Sequence, residues 1–271
     1  VGEKAAHHAL SAFIKNKLSG YKKGRDYPVQ DHTSKLSPHL HFGEISPYQV
    51  WDAIVHADHG VPAQDRECFM TEIIWREFSS YLLYHFKNLD KQNFQSRFDT
   101  FAWKHNQKFL NAWKEGKTGY PIVDAGMRQL HETGYMHNRV RMIVGSFLVK
   151  NLGIHWHYGM DWFWECLMDA DLASNSFNWQ WVAGSGADAA PYFRIFNPTT
   201  QAKKFDEEGI YIKKYVPELK KLPLKYLFEP WKAPEHVLDA AKVVLGEDYP
   251  TPLVDLKLSS KAALAAYQKT K

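Results

Sequence analysis

Apolar residues recur at helical spacing along this sequence, and no run alternates apolar and polar positions as a half-buried strand would. That restricts the chain to helix-on-helix architectures. Ser46–Pro47–Tyr48–Gln49 reads as a capping box with proline at the first helical position, opening onto Val50, Trp51, Ile54 and Val55. Residues 65–86 predict a long helix with Met70, Ile73, Ile74, Phe78 and Leu82 as its apolar stripe. Pro121 starts a further helix that Gly134 ends. Others are expected over 136–151, through Val140, Ile143, Val144, Phe147 and Leu148 toward Gly153, and over 160–170. Residues 184–201 are punctuated by Gly, Ser and Pro and read as loop-rich. Prolines at 217, 223, 230, 234, 250 and 252 keep later helices short until 259–269. The expectation is one all-α domain over residues 1–271, with no internal linker or repeat.

A chain of 271 residues with 45% apolar and 24% charged residues can bury a sizeable core and is not disordered. No apolar run reaches membrane-spanning length. The opening VGEKAAHHALSAFI has neither methionine nor a signal-peptide pattern, which suggests a piece of a longer protein. The two cysteines, Cys68 and Cys166, make a disulfide framework improbable and fit an intracellular home as buried helix residues. A net charge of +4, with clusters at Lys22–Lys23–Arg25, Arg139–Arg141, Lys203–Lys204 and Lys213–Lys214, suits nucleic acid and equally a solvated basic surface. Ten tryptophans are harder to absorb into a core, and suggest stacking or electron chemistry.

Glu72, Trp75, Arg76 and Ser79 share one face of the 65–86 helix, away from its apolar stripe. Glu72 and Arg76 at i, i+4 make an ordinary surface salt bridge, but the tryptophan between them suits a pocket wall that stacks something flat. Asn138, Arg141, Met142 and Gly145 share a face of the next helix; the glycine admits a ligand or simply a neighbouring helix. Asp169 and Asp171 form a D-x-D that serves as a metal pair, as two acceptors aimed at a ligand, or as a frayed helix end. The hydroxyls of TSKLS, 33–37, suit a phosphate and equally an N-cap. His39/His41 and His155/His157 raise zinc, yet no third ligand lies at metal spacing, so no metal is expected. In ASNSFNWQW, 173–181, the asparagines favour loop or turn beside two closely spaced indoles. An aromatic pocket lined by Asn, Asp and Arg, with a diphosphate site, matches a flavin dinucleotide.

These residues carry a resemblance. TSKLSPHLHFGEISP, EIIWREF, WKEGKTGYPIVDAGMRQLHETGYMHNRVRM, MDADLASN, NWQW and DAAPYFRIFNPTTQ occur in the order of the photolyase/cryptochrome family and span almost the whole chain. The chain resembles that family's C-terminal, helical FAD-binding domain, by motif nearest to bacterial class I cyclobutane pyrimidine dimer photolyases, without the N-terminal α/β antenna domain.

The resemblance implies FAD, active as fully reduced FADH−, with no antenna chromophore in this chain. Tyr21 and Thr33, Ser34, Lys35, Leu36 and Ser37 would hold the diphosphate. Phe69, Glu72, Asn138, Arg141, Asp169, Ala170, Asp171 and Asn175 would surround the rest, with Asn175 facing flavin N5. Trp179, Trp156 and Trp103 would relay electrons to the surface. Trp75 and Trp181 would clamp a flipped pyrimidine dimer, with Glu72, Asn138 and Met142 at its edges. Arg25, Arg76, Arg139, Arg194, Gln201 and Lys204 would meet the strand, with Trp75 and Asn138. The expected partner is damaged single- or double-stranded DNA, the expected state a monomer off the membrane, in a bacterial cytoplasm with the nucleoid. The implied activity is light-driven dimer repair, a carbon–carbon lyase reaction. A cryptochrome photoreceptor with the same flavin and relay is the alternative, and a DNA-binding module without chemistry is a third reading. Lys35 stands where many members have Arg, Phe69 where a tryptophan is expected, and Phe177–Asn178 where a Gly-Gly pair precedes Trp179, so a different turn is expected there.

Overall fold

The computed structural model of the chain describes residues 2–57, 60–188 and 194–270. The all-helical expectation holds: among the described residues the only β pairings are isolated bridges, Lys104 with Ile154 and Leu245 with Tyr249. The predicted capping box is present, with Ser46 Oγ accepting the Gln49 N–H at 3.1 Å and Gln49 Oε1 accepting the Ser46 N–H at 2.8 Å.

Five helices position the site. They are α1 (Ala63–His85), α2 (Pro121–Thr133), α3 (Asn138–Ser146), α4 (Trp156–Cys166) and α5 (Leu172–Ala183). Two apolar cores flank them. The smaller gathers Leu10, Phe13, Val50, Ile54, Phe69 and Ile73 around the N-terminal half of α1. The larger packs α2, α3, α4 and α5 around Trp113, Met127, Val144, Phe147 and Trp156. Each such side chain contributes roughly 1.5–3 kcal/mol on burial.

The buried line of α1 differs from the predicted stripe. It runs through Phe69, Ile73, Ser79 and Leu82, while Ile74 is 53% exposed. The two halves of α1 meet different neighbours, the first core and then α5, so one continuous stripe is not needed. The predicted 136–151 helix changes pitch: after Ser146 it continues as a π-turn over Phe147–Asn151, all buried. There the buried Lys150 donates to the Ala183 carbonyl at 2.8 Å, holding the end of α5.

Helix α4 starts earlier than predicted and ends at Cys166, because His155 caps it: its Nδ1 accepts the His157 N–H at 3.2 Å. Asp169 and Asp171 therefore follow this helix instead of closing it. The asparagine-rich stretch is α5, a helix where a turn was expected. Asp171 caps it by accepting the Ser174 N–H at 2.8 Å. The asparagine amides bond without breaking the helix, Asn178 to the Ser174 carbonyl at 2.7 Å and Asn175 to the Met160 carbonyl at 2.9 Å. No turn precedes Trp179, and Phe177 is a buried residue of α5.

A carboxylate pins the proline-rich tail to α2. Asp124, fully buried, accepts the Thr118 N–H at 2.7 Å, the Thr118 hydroxyl at 2.6 Å, the Gly119 N–H at 3.0 Å and the Tyr249 hydroxyl at 2.6 Å. Gly119 is required here: its φ is 79°, and a Cβ would stand 2.5 Å from the Thr251 carbonyl oxygen.

Candidate functional site

The predicted face of α1 lines a cleft of about 630 Å³, where Glu72, Trp75, Arg76 and Ser79 face Asn138 and Met142 of α3 and Ser174, Asn178 and Trp181 of α5. Trp75 is 40% exposed, and its ring stacks on Phe177 at 6.2 Å and 24°. The predicted Glu72–Arg76 bridge is replaced. Glu72 pairs with Arg25, which arrives from the helix Tyr21–Gly24, and Arg76 donates to the Leu40 carbonyl at 3.2 Å. Burial opposes the charge on Arg25, but the hydrogen bond and charge of Glu72, with Tyr21 and Cys68, together outweigh it and hold the guanidinium above its ordinary pKa.

A deeper hollow of about 110 Å³ is lined by Asn138, Arg141, Asp169, Ala170, Asp171, Asn175 and Trp179. Asn138, Met142, Ser174, Asn178 and Trp181 line both spaces, so the two are continuous. Arg141 binds both Asp169 oxygens, at 3.2 and 3.1 Å, and its Nε donates to the Met136 carbonyl at 2.7 Å. Asp169 also accepts the Ser37 hydroxyl at 2.6 Å. Burial pushes Asp171 up, but the Ser174 hydrogen bonds, the Arg76 charge and His41 hold its pKa below the usual carboxylate value. The two aspartates thus have separate protein partners, and among the described residues no cluster suits a metal. Gly145 serves both its readings: it lines the hollow, and a Cβ there would crowd Val182 at 3.3 Å.

The Thr33–Ser37 loop is divided. Thr33, Lys35 and Ser37 line a third hollow of about 450 Å³, with Lys35 in the left-handed region at φ 55°. Leu36 is buried in the first core, and Ser34 Oγ accepts the Leu36 N–H at 3.3 Å. Tyr21 and Phe69, predicted at the cofactor, pack on each other at 5.2 Å and on Phe13. Lacking an indole N–H, Phe69 has no polar edge to turn toward a cleft.

Of the predicted relay, Trp179 and Trp156 are buried and Trp103 is half-buried. Trp179 packs on Phe163 at 5.0 Å. Trp156 donates its indole N–H to Asn93 Oδ1 at 2.9 Å. The His155 ring stands between Trp103 and Trp156, at 4.9 and 5.5 Å, so in the His155/His157 pair His155 serves packing and capping.

Among the predicted strand contacts, Arg139 pairs with Asp26 at 2.6 Å and lies 4.4 Å over the Phe205 ring, which Lys204 also approaches at 5.2 Å. Arg194 and Lys204 are exposed, and Gln201 is half-buried. Residues 189–193 of the DAAPYFRIFNPTTQ run lie outside the described residues. Sequence reasoning missed Ser174, Asp26, Gly159 and His137. Ser174 was within reach: read as a helix, 171–182 places Ser174, Asn178 and Trp181 on one face.

A family model described as the FAD binding domain of DNA photolyase matches residues 69–269. A deoxyribodipyrimidine photo-lyase of Agrobacterium fabrum is 53% identical over 270 residues, covering 100% of this chain and 56% of that protein. The crystal structure of a bacterial class III photolyase from Agrobacterium tumefaciens superposes with a TM-score of 0.96 at 52% identity, covering 99% of this chain and 56% of that one. A Synechocystis cryptochrome superposes with a TM-score of 0.93 at 36% identity, covering 98% of this chain and 56% of that one. The chain spans about half the length of the relatives it matches. Motif resemblance pointed to class I, whereas this solved relative is of class III.

Proposed function

Because the chain belongs to the photolyase/cryptochrome family and carries its FAD binding domain, we propose that it repairs cyclobutane pyrimidine dimers in DNA under light. The observation that carries this reading is the continuous cleft, in which an outer chamber walled by Trp75 and Trp181 opens into a polar inner one. The residues present fit FAD. The inner chamber is edged by polar groups that suit a flat heterocycle, and Asn175, which gives one amide N–H to the Met160 carbonyl, keeps its own carbonyl as an acceptor. Bound and fully reduced, FAD would supply the light-driven electron that splits the dimer and would take it back.

The chain's own residues position the partners. Trp75 and Trp181 offer stacking faces, each worth about 1–3 kcal/mol against a base. Extruding a damaged pair costs only a few kcal/mol, so stacking can balance it. Glu72 in the outer chamber and Asn138 at the junction of the two present hydrogen-bonding groups, and Met142 lines the wall of both. Arg141, tied to Asp169, puts a fixed positive charge beside the inner chamber. Trp179, Trp156 and Trp103 run from buried to half-exposed and would carry electrons toward the surface. Arg25, Arg76, Arg139, Arg194, Gln201 and Lys204 would face the strand, as one monomeric domain in the cytoplasm.

The test is illumination of the reduced protein with a thymine-dimer oligonucleotide, following the return of thymine absorbance. Restored thymine supports repair. The likeness to a cryptochrome favours a second reading, photoreception, and flavin photoreduction without thymine recovery would select it.

A further inference from the structure

Two aromatic residues of α5 line the outer chamber beside Trp75 of α1: Phe177 and, one helical turn later, Trp181. The Trp75 and Phe177 rings lie 6.2 Å apart and are inclined by only 24°, an offset stack. Phe78 meets both edge-on, 5.9 Å from Trp75 and 5.8 Å from Phe177. Exposure divides the stacked pair, with Trp75 at 40% and Phe177 at 6%. None of the roles above uses Phe177.

Phe177 is itself held firmly. It packs in a small core with Leu82 and Leu89, and Phe94 packs against that core. The segment that carries Leu89 and Phe94 is fastened to α5 by the buried Gln180. Its amide donates to the Leu89 carbonyl at 2.6 Å and to the Gln92 carbonyl at 2.9 Å, and its Oε1 accepts the Phe94 N–H at 2.8 Å. A half-exposed tryptophan on a helix has several rotamers open to it. A fixed ring stacked on one face removes some of them. Freedom lost before a ligand arrives is not charged to binding.

We propose that Phe177 is a positioning residue for Trp75: its ring fixes the indole and leaves the other indole face presented to an unpaired base in the outer chamber. That the base belongs to a pyrimidine dimer rests on the repair reading; the fixing of Trp75 does not.

The experiment uses the 271-residue chain in two measurements. The first is ¹⁹F NMR of protein labelled with 5-fluorotryptophan, in which the Trp75 signal is the one lost in Trp75→Phe and the Trp164 signal the one lost in Trp164→Phe. Trp164 is 49% exposed and has no described ring against it, so it reports a comparably exposed, unbacked indole. The Trp75 signal is expected to be broader than that of Trp164, and to narrow in Phe177→Leu. Equal widths in the parent chain overturn the proposal, whether or not Phe177→Leu folds.

The second is a double-mutant cycle read by binding of a thymine-dimer duplex and its undamaged counterpart. Phe177→Leu should weaken the dimer duplex by about three- to tenfold, the range of one aromatic pair. In a Trp75→Ala background the same change should cost less than about twofold. Equal losses in both backgrounds would mean that Phe177 acts through the fold and not through Trp75, which overturns the proposal. A parent chain that prefers the dimer duplex, with Phe177→Leu binding it unchanged, also overturns it and leaves the repair reading standing. A parent chain that binds both duplexes alike removes the repair reading, and the cycle read with oligothymidine then decides. Loss confined to the chain that carries Trp75 keeps the positioning role, and no loss ends it.

Discussion

Gly159 lies directly under the indole of Trp179: a Cβ at that position would stand 2.1 Å from ring atom Cη2. The helix α4 backbone is therefore part of the Trp179 socket. Gly159→Ala should push the ring off its seat and destabilise the fold by about 1–3 kcal/mol, the usual range for overpacking. Denaturant midpoints of the flavin-free chain would measure this, and an unchanged midpoint would show that the socket is slack.

Trp179→Phe removes the indole but keeps a ring on Gly159. Photoreduction of oxidised flavin should be abolished, while repair by chemically pre-reduced protein is retained. Loss of both activities would contradict a separate relay.

Arg141→Ala leaves Asp169, 4% exposed at its side chain, with the Ser37 hydroxyl as its remaining described side-chain partner. The loss should be about 3 kcal/mol. Flavin should also be lost on purification, which the ratio of absorbance at 450 and 280 nm would reveal.

His137 makes stability pH-dependent, with a definite sign. Burial lowers its folded pKa from 6.5 to about 4, so between those values the unfolded chain takes a proton that the folded chain refuses. Stability should be full above about pH 6.5 and decline as pH falls toward 4, by up to ~3 kcal/mol. His155, also lowered to about 4 by burial and His157, acts in the same direction. The flavin-free chain should therefore show a lower denaturant midpoint at pH 4.5 than at 7.5, and the drop should be smaller in His137→Asn.

DNA affinity should fall steeply with salt. Lys204 is exposed and pairs with no carboxylate described here, whereas Arg25 and Arg139 are each held by one. Lys204→Ala should reduce the slope of log K against log salt by about 0.9 if it meets one phosphate. An unchanged slope would take Lys204 out of the interface.

Much of the architecture was legible because helices announce themselves locally. Pro121 and Gly134 bound α2, and the Ser46–Gln49 box opens its helix, through interactions within a few residues. The Glu72–Trp75–Ser79 face was legible for the same reason. Helix α5 was not, since asparagine favours turns until a tertiary partner occupies its amide, and the Met160 carbonyl that does so belongs to another helix. The partner of Glu72 was hidden in the same way, 47 residues away at Arg25. His137 gave no local signal, because its cap and its orphaned donor sit on opposite nitrogens of one ring.

The Asp124 cage also bears on synthesis. Its backbone and threonine donors leave the ribosome next to it, but Tyr249 follows 125 residues later. Until then a nascent chain holds a carboxylate with one donor missing inside a forming core. The cage is therefore complete only once the tail that carries this phenol has emerged.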